Sequence, residues 1–540
     1  MTPPPSSPHC WRTTWTLLFT LFANGLPIAA TTTNPPEITE IFWSNLTAEG
    51  AMEPPGGGLQ LQFSSHGLKY MTQMGEAAIP KLLANYSIPD LTSSTLSLKQ
   101  MSIRNAGFLN RTGVYAHLLL PWVELRGRFE AGIGWFSKEG SFRGVAQNLS
   151  LQLLLTAKRA ANNQPSVSIP LCQGETQQIM LMFSGGFSGI LNTVRPLIES
   201  YLSSQLDEIL CGLLEEAARF FEEEIINKNS VAAKANRTQF NPSLLCGGFK
   251  GRQEGSNNRP LPDFDVNLQL AGEPFFTETH ALIGMEGDLL YKGASANVPP
   301  PEDSPLHWGH KMISFQLTEH IPYTFFRHVY NQRLGVIHET LEVRDLPKIL
   351  RAPMSVLCYS CELRMLAGPT TTPRTRFTSK GITLTIEGEL RIIVDGPFRQ
   401  FDLLNAVISM DITTHFVVRK NTLYGRDAEL VNFYLDVRDV GVGGVLGEPI
   451  SDAMEFLVPR QIWPRVRSRL RFALSRKGVR LPVICGVRLQ DTDILYRNGA
   501  VLVDTDFRYN LGRFIYKFRK HVLEKQEKLK DSPKQLDEQE

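Results

Sequence analysis

The chain has 540 residues, of which 42% are hydrophobic and 20% are charged, and its formal net charge is +2. This is an ordinary globular composition, and the length predicts two to four domains. The charge is too balanced to indicate a nucleic acid as a partner.

Taken in chain order, residues 1–30 have the features of a secretory signal peptide. Arg12 precedes a short apolar core, Trp15 to Ala23, and Pro27 to Ala30 offers a small-residue cleavage site. The alternative is a membrane anchor, but the apolar run stops at Asn24, well short of the about 20 residues that span a bilayer. We therefore expect a secreted, soluble, extracellular protein.

The cysteines and the glycosylation sequons agree with export. Seven cysteines are present, and loss of Cys10 with the signal leaves an even number, as suits an oxidising compartment. The N-x-S/T sequons all fall in the N-terminal half, and the candidate glycosylation sites are Asn45, Asn85, Asn110, Asn148 and Asn236.

A short amphipathic helix is predicted from Ser65 onward, after a Gly-rich turn at Pro54 to Gly58. Pro80 is expected to end or bend this helix. Residues 95–183 then alternate apolar and polar side chains, which predicts long antiparallel strands with turns at Lys138 to Gly140 and Asn162 to Pro165. The buried face of the helix is predicted to consist of Leu68, Met71, Gly75, Ala78 and Leu82.

The stretch from Ile190 to Ile226 is predicted to form a long helix around which the N-terminal half is organised. Apolar residues recur at steps of three and four, while glutamates fill much of the other side. A helix of this length would span about 55 Å. Pro196 leaves two alternatives open, because the helix either starts just before it or kinks there. The apolar stripe includes Val194, Ile198, Leu202, Leu206 and Ile209.

Residues 227–263 are rich in Asn, Gly and Pro and are predicted to form an exposed linker. The second half repeats the plan of the first, with a helix over 319–334, long alternating strands, and a closing helix over 450–476. The tail, residues 513–540, is highly charged and is expected to be disordered.

No catalytic signature is present in the sequence. It lacks a nucleophile elbow, a P-loop and a dinucleotide motif, and its histidines have no metal-ligand spacing. We therefore expect neither an enzyme nor a metal site. Cys358 and Cys361 form a C-x-x-C pair, for which a structural disulfide is favoured over redox chemistry. Together with Cys246 and Cys485 they allow three pairings, which the sequence leaves open.

Several stretches resemble the family of the bactericidal/permeability-increasing protein, the lipopolysaccharide-binding protein and the plasma lipid-transfer proteins. The matching features are a GL-x-Y-x-x-Q-x-G motif from Gly67 to Gly75, Ile88 to Asp90, the Cys172/Cys211 pair, and Leu457 to Pro482. The resemblance covers roughly residues 35–510. It implies an α+β fold of two elongated antiparallel β-barrels, each with a long amphipathic helix, joined by a central sheet into a boomerang with pseudo-two-fold symmetry.

The same resemblance implies a domain plan and a ligand. The N-terminal barrel would occupy residues 31–226 and the C-terminal barrel residues 264–512, each holding a phospholipid between helix and sheet. The apolar helix faces would line these gaps, and no cofactor is expected. A disulfide would join Cys172 to Cys211. The protein would be a monomer or weak dimer that carries phospholipid or recognises bacterial lipopolysaccharide in innate defence. The alternative is a structural or interaction protein that holds lipid only as core filling.

In the bactericidal members of this family, an N-terminal hairpin dense in lysines contacts lipid A phosphates. The matching hairpin of this chain also contains Trp135. Its only basic residues are Lys138 and Arg143, and the charge of Glu139 offsets one of these two. Lys158 and Arg159 at the next hairpin complete the candidate contacts with anionic lipid or a membrane surface. Because phosphate binding draws on several charges at once, we expect endotoxin binding to be weak and salt-sensitive.

Overall fold

Strands dominate the described part of the chain, which combines sheets with a few helices in a mixed α/β fold. The computed structural model describes residues 53–82, 84, 86–87, 95–133, 136–176, 178–186, 188–220, 222, 264–302, 305–333, 336–342, 351, 361–396, 400–419, 421–439, 460, 463–464, 467, 479–481, 487–512, 515–516 and 519–520. All of them fall in one unit, Thr47–Glu540.

A central sheet joins strands from both ends of the chain. Its order is β20 (Val487–Arg497), β21 (Ala500–Tyr509), β12 (Ile313–Thr318), β1 (Leu59–Ser64), β10 (His280–Met285) and β9 (Phe275–Phe276). Strand β1 pairs antiparallel with both β10 and β12. The central sheet is therefore present, and it takes its N-terminal strand from the segment that the sequence assigned to the first barrel.

One face of the central sheet carries buried polar side chains that bind the chain segment ahead of β12. Because strand residues alternate between faces, Gln60 and Gln62 point to the same side. The Gln62 side chain donates to the His307 carbonyl at 2.7 Å and accepts the Gly309 N–H at 3.0 Å. The buried Asp504 carboxylate accepts the backbone N–H of His310 at 2.9 Å. These polar groups fix the backbone of the segment to the sheet.

The N-terminal sheet consists of long antiparallel strands in the order β2 to β6. They are β2 (Tyr86–Ser87), β3 (Thr95–Leu109), β4 (Gly113–Ile133), β5 (Phe136–Arg159) and β6 (Pro165–Glu175), with β7 (Gln178–Gly185) paired to β5. The long strands predicted over 95–183 are confirmed, and so is the turn after Arg159.

The turn predicted at Lys138 to Gly140 is wrong. Ile133 pairs with Phe136, and β5 continues through Lys138, Glu139 and Gly140 as a regular strand. Gly140 lies opposite Phe129, and a Cβ atom at Gly140 would come within 2.3 Å of the Phe129 ring. The glycine is needed here for the close approach of an aromatic ring rather than for a turn.

Among the described residues, three helices accompany the N-terminal sheet: α1 (Ser65–Leu82), α2 (Ser188–Thr193) and α3 (Arg195–Phe220). Pro80 lies inside α1, close to its end. The long helix starts just before Pro196, which occupies its first turn, so the first of the two alternatives is correct. Over its 26 described residues, α3 spans about 39 Å. The predicted continuation to Ile226 lies outside the described residues, apart from residue 222.

The second half contains a further antiparallel sheet and the predicted helix α4 (His320–Asn331). The sheet runs in the order β13 (Ile337–Glu342), β14 (Glu362–Pro369), β16 (Gly381–Asp395), β17 (Gln400–Arg419), β18 (Thr422–Asp439) and β19 (Val479–Arg480), with β15 (Arg374–Thr378) on β16. Strands β8 (Phe264–Val266) and β11 (Leu289–Tyr291) form a separate pair. The closing helix predicted over 450–476 lies outside the described residues, apart from four isolated positions.

One sequence-based expectation requires correction. In the described ranges the strand order of each sheet is open, so the closed barrels are not observed. Most of the tail predicted to be disordered lies outside the described residues; its described residues 515–516 and 519–520 are helical. The Arg519 guanidinium donates a hydrogen bond to the Lys81 carbonyl at the end of α1.

Candidate functional site

The apolar face of the N-terminal sheet and helix α3 together form the largest buried cluster. Leucines of β4 and β5 alternate toward this face, as expected for strands with one buried side. From α3, Leu206, Leu210 and Phe220 pack into it, with Leu213, Leu214 and Ala217 at its margin. Ile79 of α1 packs at another margin of the same cluster. The sheet and two helices thus surround a continuous apolar region.

A disulfide fixes α3 to the sheet. Cys172 on β6 is bonded to Cys211 in the middle of α3, with 5.9 Å between their Cα atoms. This is the pair that the family resemblance implies. Cys361 is also disulfide-bonded, although its partner lies outside the described residues. A structural role for this cysteine of the C-x-x-C pair fits its burial in a small apolar cluster.

The predicted stripe on α3 is unevenly covered. Leu206 is only 5% exposed and belongs to the core, whereas Val194, Ile198, Leu202 and Ile209 are half-buried. Toward the start of the helix, Ile190 of α2 is 52% exposed and Leu197 is 48% exposed. The apolar surface of the helix therefore continues beyond the part that the sheet buries.

The predicted residues of α1 do not form a single site with those of α3. Leu68 packs with Phe108 and Phe276 at the junction with the central sheet, in a separate cluster. Ala78 is buried, while Met71 and Gly75 are half-buried. The side chain of Leu82 lies outside the described set. Only the C-terminal part of α1 approaches the region covered by α3.

A cavity of about 350 Å³ lies between the C-terminal end of α1 and the edge of β3. Its lining includes Glu76, Pro80 and Lys81 of α1, together with Leu98, Lys99 and Met101 of β3. The register of β3 against β4 shifts three times between Leu98 and Asn105, so this part of the strand is irregular. Sequence reasoning missed Lys81 and Lys99, because they lie on different elements that only the tertiary fold brings to one cavity.

The candidate cationic residues are not gathered into one patch. Lys138 and Lys158 are both exposed, but they lie near opposite ends of β5, about 65 Å apart by the strand rise. Trp135 lies outside the described residues. The Arg159 guanidinium donates to the Ala271 carbonyl at 3.2 Å and to the Asn163 side chain at 3.0 Å. Arg159 therefore connects the N-terminal sheet to the chain near the central sheet.

Arg143 is engaged in an ion pair. Its Nε lies 2.5 Å from Oε1 of Glu124, a buried carboxylate that Arg126 also contacts at 2.9 Å. Burial alone would raise the pKa of Glu124, but the hydrogen bonds and charges of the two arginines outweigh it and hold that pKa below its usual value. One carboxylate thus offsets part of the positive charge at this position.

Comparison with known proteins identifies related chains. The chain is 27% identical to "Nose resistant to fluoxetine protein 5" from Caenorhabditis elegans. The alignment covers 86% of this chain and 92% of that protein. A bactericidal permeability-increasing protein from Sebastes schlegelii is 22% identical over 267 residues, 46% of this chain and 53% of the relative. A lipopolysaccharide-binding protein from Oryctolagus cuniculus is 20% identical over 176 residues, 30% of this chain and 36% of the relative. These relatives support a BPI-like family for the chain.

No protein-family profile matches this BPI-like chain. A crystal structure of lipopolysaccharide binding protein aligns with 84% of the chain and 99% of its own length, at 14% identity and a TM-score of 0.47. A structure of P47 from Clostridium botulinum E1 aligns over the same share of the chain with a TM-score of 0.27.

Two of the sequons of the BPI-like chain lie on the exposed surface of the N-terminal sheet. Asn110 is exposed at the end of β3, and Asn148 is exposed on β5 with a φ of 51°. Asn45, Asn85 and Asn236 lie outside the described residues. Within the described ranges there is no group of three metal-ligating side chains, and no helix there is both long and apolar enough to cross a membrane.

Proposed function

We propose that this BPI-like protein is a secreted, non-catalytic carrier that binds phospholipid between α3 and the N-terminal sheet. The observation that supports it is the uneven burial of the α3 stripe. Exposed apolar surface at Ile190 and Leu197 continues into the half-buried Val194, Ile198 and Leu202. Contiguous apolar surface of this kind marks binding sites in soluble proteins. Acyl chains are the occupant that fits an elongated stripe on a helix.

The energetics of acyl-chain burial require neither a cofactor nor a charged clamp for retention. Each methylene that leaves water contributes roughly 0.8 kcal/mol, so a stripe that covers several turns of helix can retain a long acyl chain. A second lipid in the C-terminal half would follow from the repeated plan of helix and sheet. Close to two phospholipids per chain is therefore the proposed stoichiometry.

Recognition of lipopolysaccharide is proposed to be a weak activity of this protein. Two of its relatives are named a bactericidal permeability-increasing protein and a lipopolysaccharide-binding protein. In this chain, however, Arg143 and Arg159 are engaged with protein groups, and Lys138 and Lys158 are far apart. Lipid carriage is therefore proposed as the better developed function.

Organic extraction of the native secreted protein tests the proposal. We expect phospholipid in the extract, and less of it from an Ile190→Asp or Leu197→Asp variant. Val431→Asp is a matched control, because Val431 is similarly exposed, at 58%, but lies on β18. A lipid-free extract from protein that is folded by circular dichroism would refute the proposal. Transfer assays between vesicles then separate a carrier from a structural protein that holds lipid only as core filling, since the latter retains its lipid.

A further inference from the structure

The cavity at the end of α1 has a positively charged rim. Lys81 and Lys99 line it and are both exposed. Arg519 lies beside it, because its guanidinium donates to the Lys81 carbonyl. Glu76 is the acidic residue of the lining, and its carboxylate accepts the backbone N–H of Ile103 at 2.6 Å. Three cations against one hydrogen-bonded carboxylate favour an anionic ligand.

Lys99 is held in place at this rim. Its Nζ lies 5.2 Å from the centroid of the Trp122 ring, a distance typical of a cation–π interaction. Trp122 itself is on β4, and its buried Nε1 has no hydrogen-bond partner among the described residues. A lysine that rests on an aromatic ring keeps its ammonium free to bind an anion and loses less side-chain entropy when it does so.

The floor of the cavity connects it to the apolar core. Leu98 and Met101 line the cavity and also belong to the buried cluster that contains Leu206 and Leu210 of α3. A volume of about 350 Å³ lies near the lower end of the range for small-ligand sites, roughly 300 to 1,000 Å³. It suits a headgroup rather than a whole phospholipid. A ligand with a charged head and an apolar tail matches this arrangement better than a free anion does.

We infer that this cavity binds the phosphate of a lipid headgroup, with Lys81 and Lys99 as its ligands and Arg519 contributing to the positive field. The inference rests on the proposed function and names the lipid class, since two lysines favour a net anionic headgroup such as phosphatidylglycerol over zwitterionic phosphatidylcholine. Charge-assisted hydrogen bonds to phosphate are among the stronger polar interactions in proteins.

Binding of the full-length protein to vesicles of phosphatidylglycerol and of phosphatidylcholine tests this inference. We expect tighter binding to phosphatidylglycerol, and a loss of about tenfold in the Lys81→Gln/Lys99→Gln variant. Lys69→Gln is the matched control, because Lys69 is an exposed lysine on the same helix and outside the cavity lining. Lys99→Arg should keep the preference. Thermal unfolding shows whether each variant is folded.

Each outcome separates the inference from the proposed function. If the double variant and Lys69→Gln bind phosphatidylglycerol equally well, while phospholipid is still extracted from the wild type, the headgroup site is refuted. The proposed function is then unaffected. Inorganic phosphate or glycerol 3-phosphate that competes as well as the lipid does would assign the cavity to a soluble phosphate compound instead. Absence of extractable lipid from the wild type refutes the proposed function itself. A variant that fails to unfold cooperatively is replaced by Lys99→Gln alone, for which the same comparison holds.

Discussion

The side chain of Tyr70 on α1 accepts a hydrogen bond from the backbone N–H of Tyr509 on β21, at 3.2 Å. The Tyr70 ring also meets Phe507 edge to face, with 5.3 Å between ring centroids. Tyr70 belongs to the GL-x-Y-x-x-Q-x-G motif, so this motif connects the first helix to the last strand of the central sheet. The contact positions α1 and, with it, the cavity at its far end.

Tyr70→Phe tests the hydrogen bond separately from the ring contact. Because only the hydroxyl is lost, we expect the free energy of unfolding to fall by about 1 kcal/mol. Tyr70→Ala also removes the ring and should cost about 3 kcal/mol or more. Denaturant titration monitored by circular dichroism measures both. Equal effects of the two substitutions would show that the ring contributes nothing.

The Cys172–Cys211 disulfide is expected to contribute strongly to stability. It closes a loop with a sequence separation of 39 residues, for which the chain-entropy model gives about 4 kcal/mol. The Cys172→Ser/Cys211→Ser variant should therefore unfold at a clearly lower temperature. Peptide mapping without reductant should recover the two peptides linked. Free alkylation of both thiols in the unfolded, unreduced protein would contradict the pairing.

Stability should depend on pH through His320. Burial lowers the pKa of this histidine, and the nearby Asp288 only partly opposes the shift. The folded state then binds fewer protons than the unfolded state. The free energy of unfolding is therefore unaffected by His320 above about pH 6.5 and falls as the pH drops through that value. Thermal melts between pH 7.5 and 5 measure the decline.

His320→Gln should flatten this decline. Glu286 acts in the opposite direction, because burial and then the charge of Asp288 raise its pKa. The folded state therefore binds the Glu286 proton more readily, which adds stability as the pH falls through the raised pKa. Glu286→Gln should consequently make the acid-side decline steeper. An unchanged pH profile in both variants would exclude these two groups as its source.

Endotoxin binding should increase when Glu124 is neutralised. Glu124→Gln removes the carboxylate that offsets Arg126 and Arg143, and both guanidinium groups then gain freedom to contact phosphate. Binding of lipopolysaccharide by the wild type should be weak and should disappear as salt rises, whereas the variant should bind more tightly at low salt. Glu389→Gln, at an exposed position on β16 outside the N-terminal sheet, is the control for a general change in net charge. Tight, salt-resistant binding by the wild type would contradict the expectation.

Two glycines should respond in opposite ways to alanine. A Cβ atom at Gly309 would lie 1.8 Å from Ser314 Oγ and 2.6 Å from Asp504 Oδ1, so Gly309→Ala should destabilise the protein by about 1–3 kcal/mol. At Gly75 the nearest atom would be Ile103 Cδ1 at 3.6 Å, an ordinary contact. Gly75→Ala on α1 should therefore stabilise by up to about 1 kcal/mol. Thermal unfolding distinguishes the two.

Local periodicity predicted the elements that depend mainly on their own residues. The apolar stripe of α3 follows from spacing, whereas the choice between a start and a kink at Pro196 needed the structure. The turn predicted at Gly140 is wrong because the role of this glycine depends on Phe129, which lies on the opposite strand. No local pattern reports such a cross-strand partner.

The candidate site was less predictable for the same reason. Arg143 is a cation in the sequence, but its charge is offset by Glu124 from the adjacent strand. Lys81 on α1 and Lys99 on β3 line one cavity only because the tertiary fold packs these two elements together. Ion pairs and cavities formed by residues from different elements depend on the tertiary fold. The pattern of residues within one segment does not predict them.

The position of β1 has a consequence for synthesis in the cell. Gln60 on β1 bonds Gln316 on β12, which is 256 residues away. At about 5–20 residues per second, the ribosome adds that partner roughly 13 to 50 seconds later. The hairpins β3 to β7 have all their partners by then, whereas β1 has no partner on either edge until β10 and then β12 are added. Nascent chains should therefore present β1 to chaperones after the N-terminal sheet has already formed.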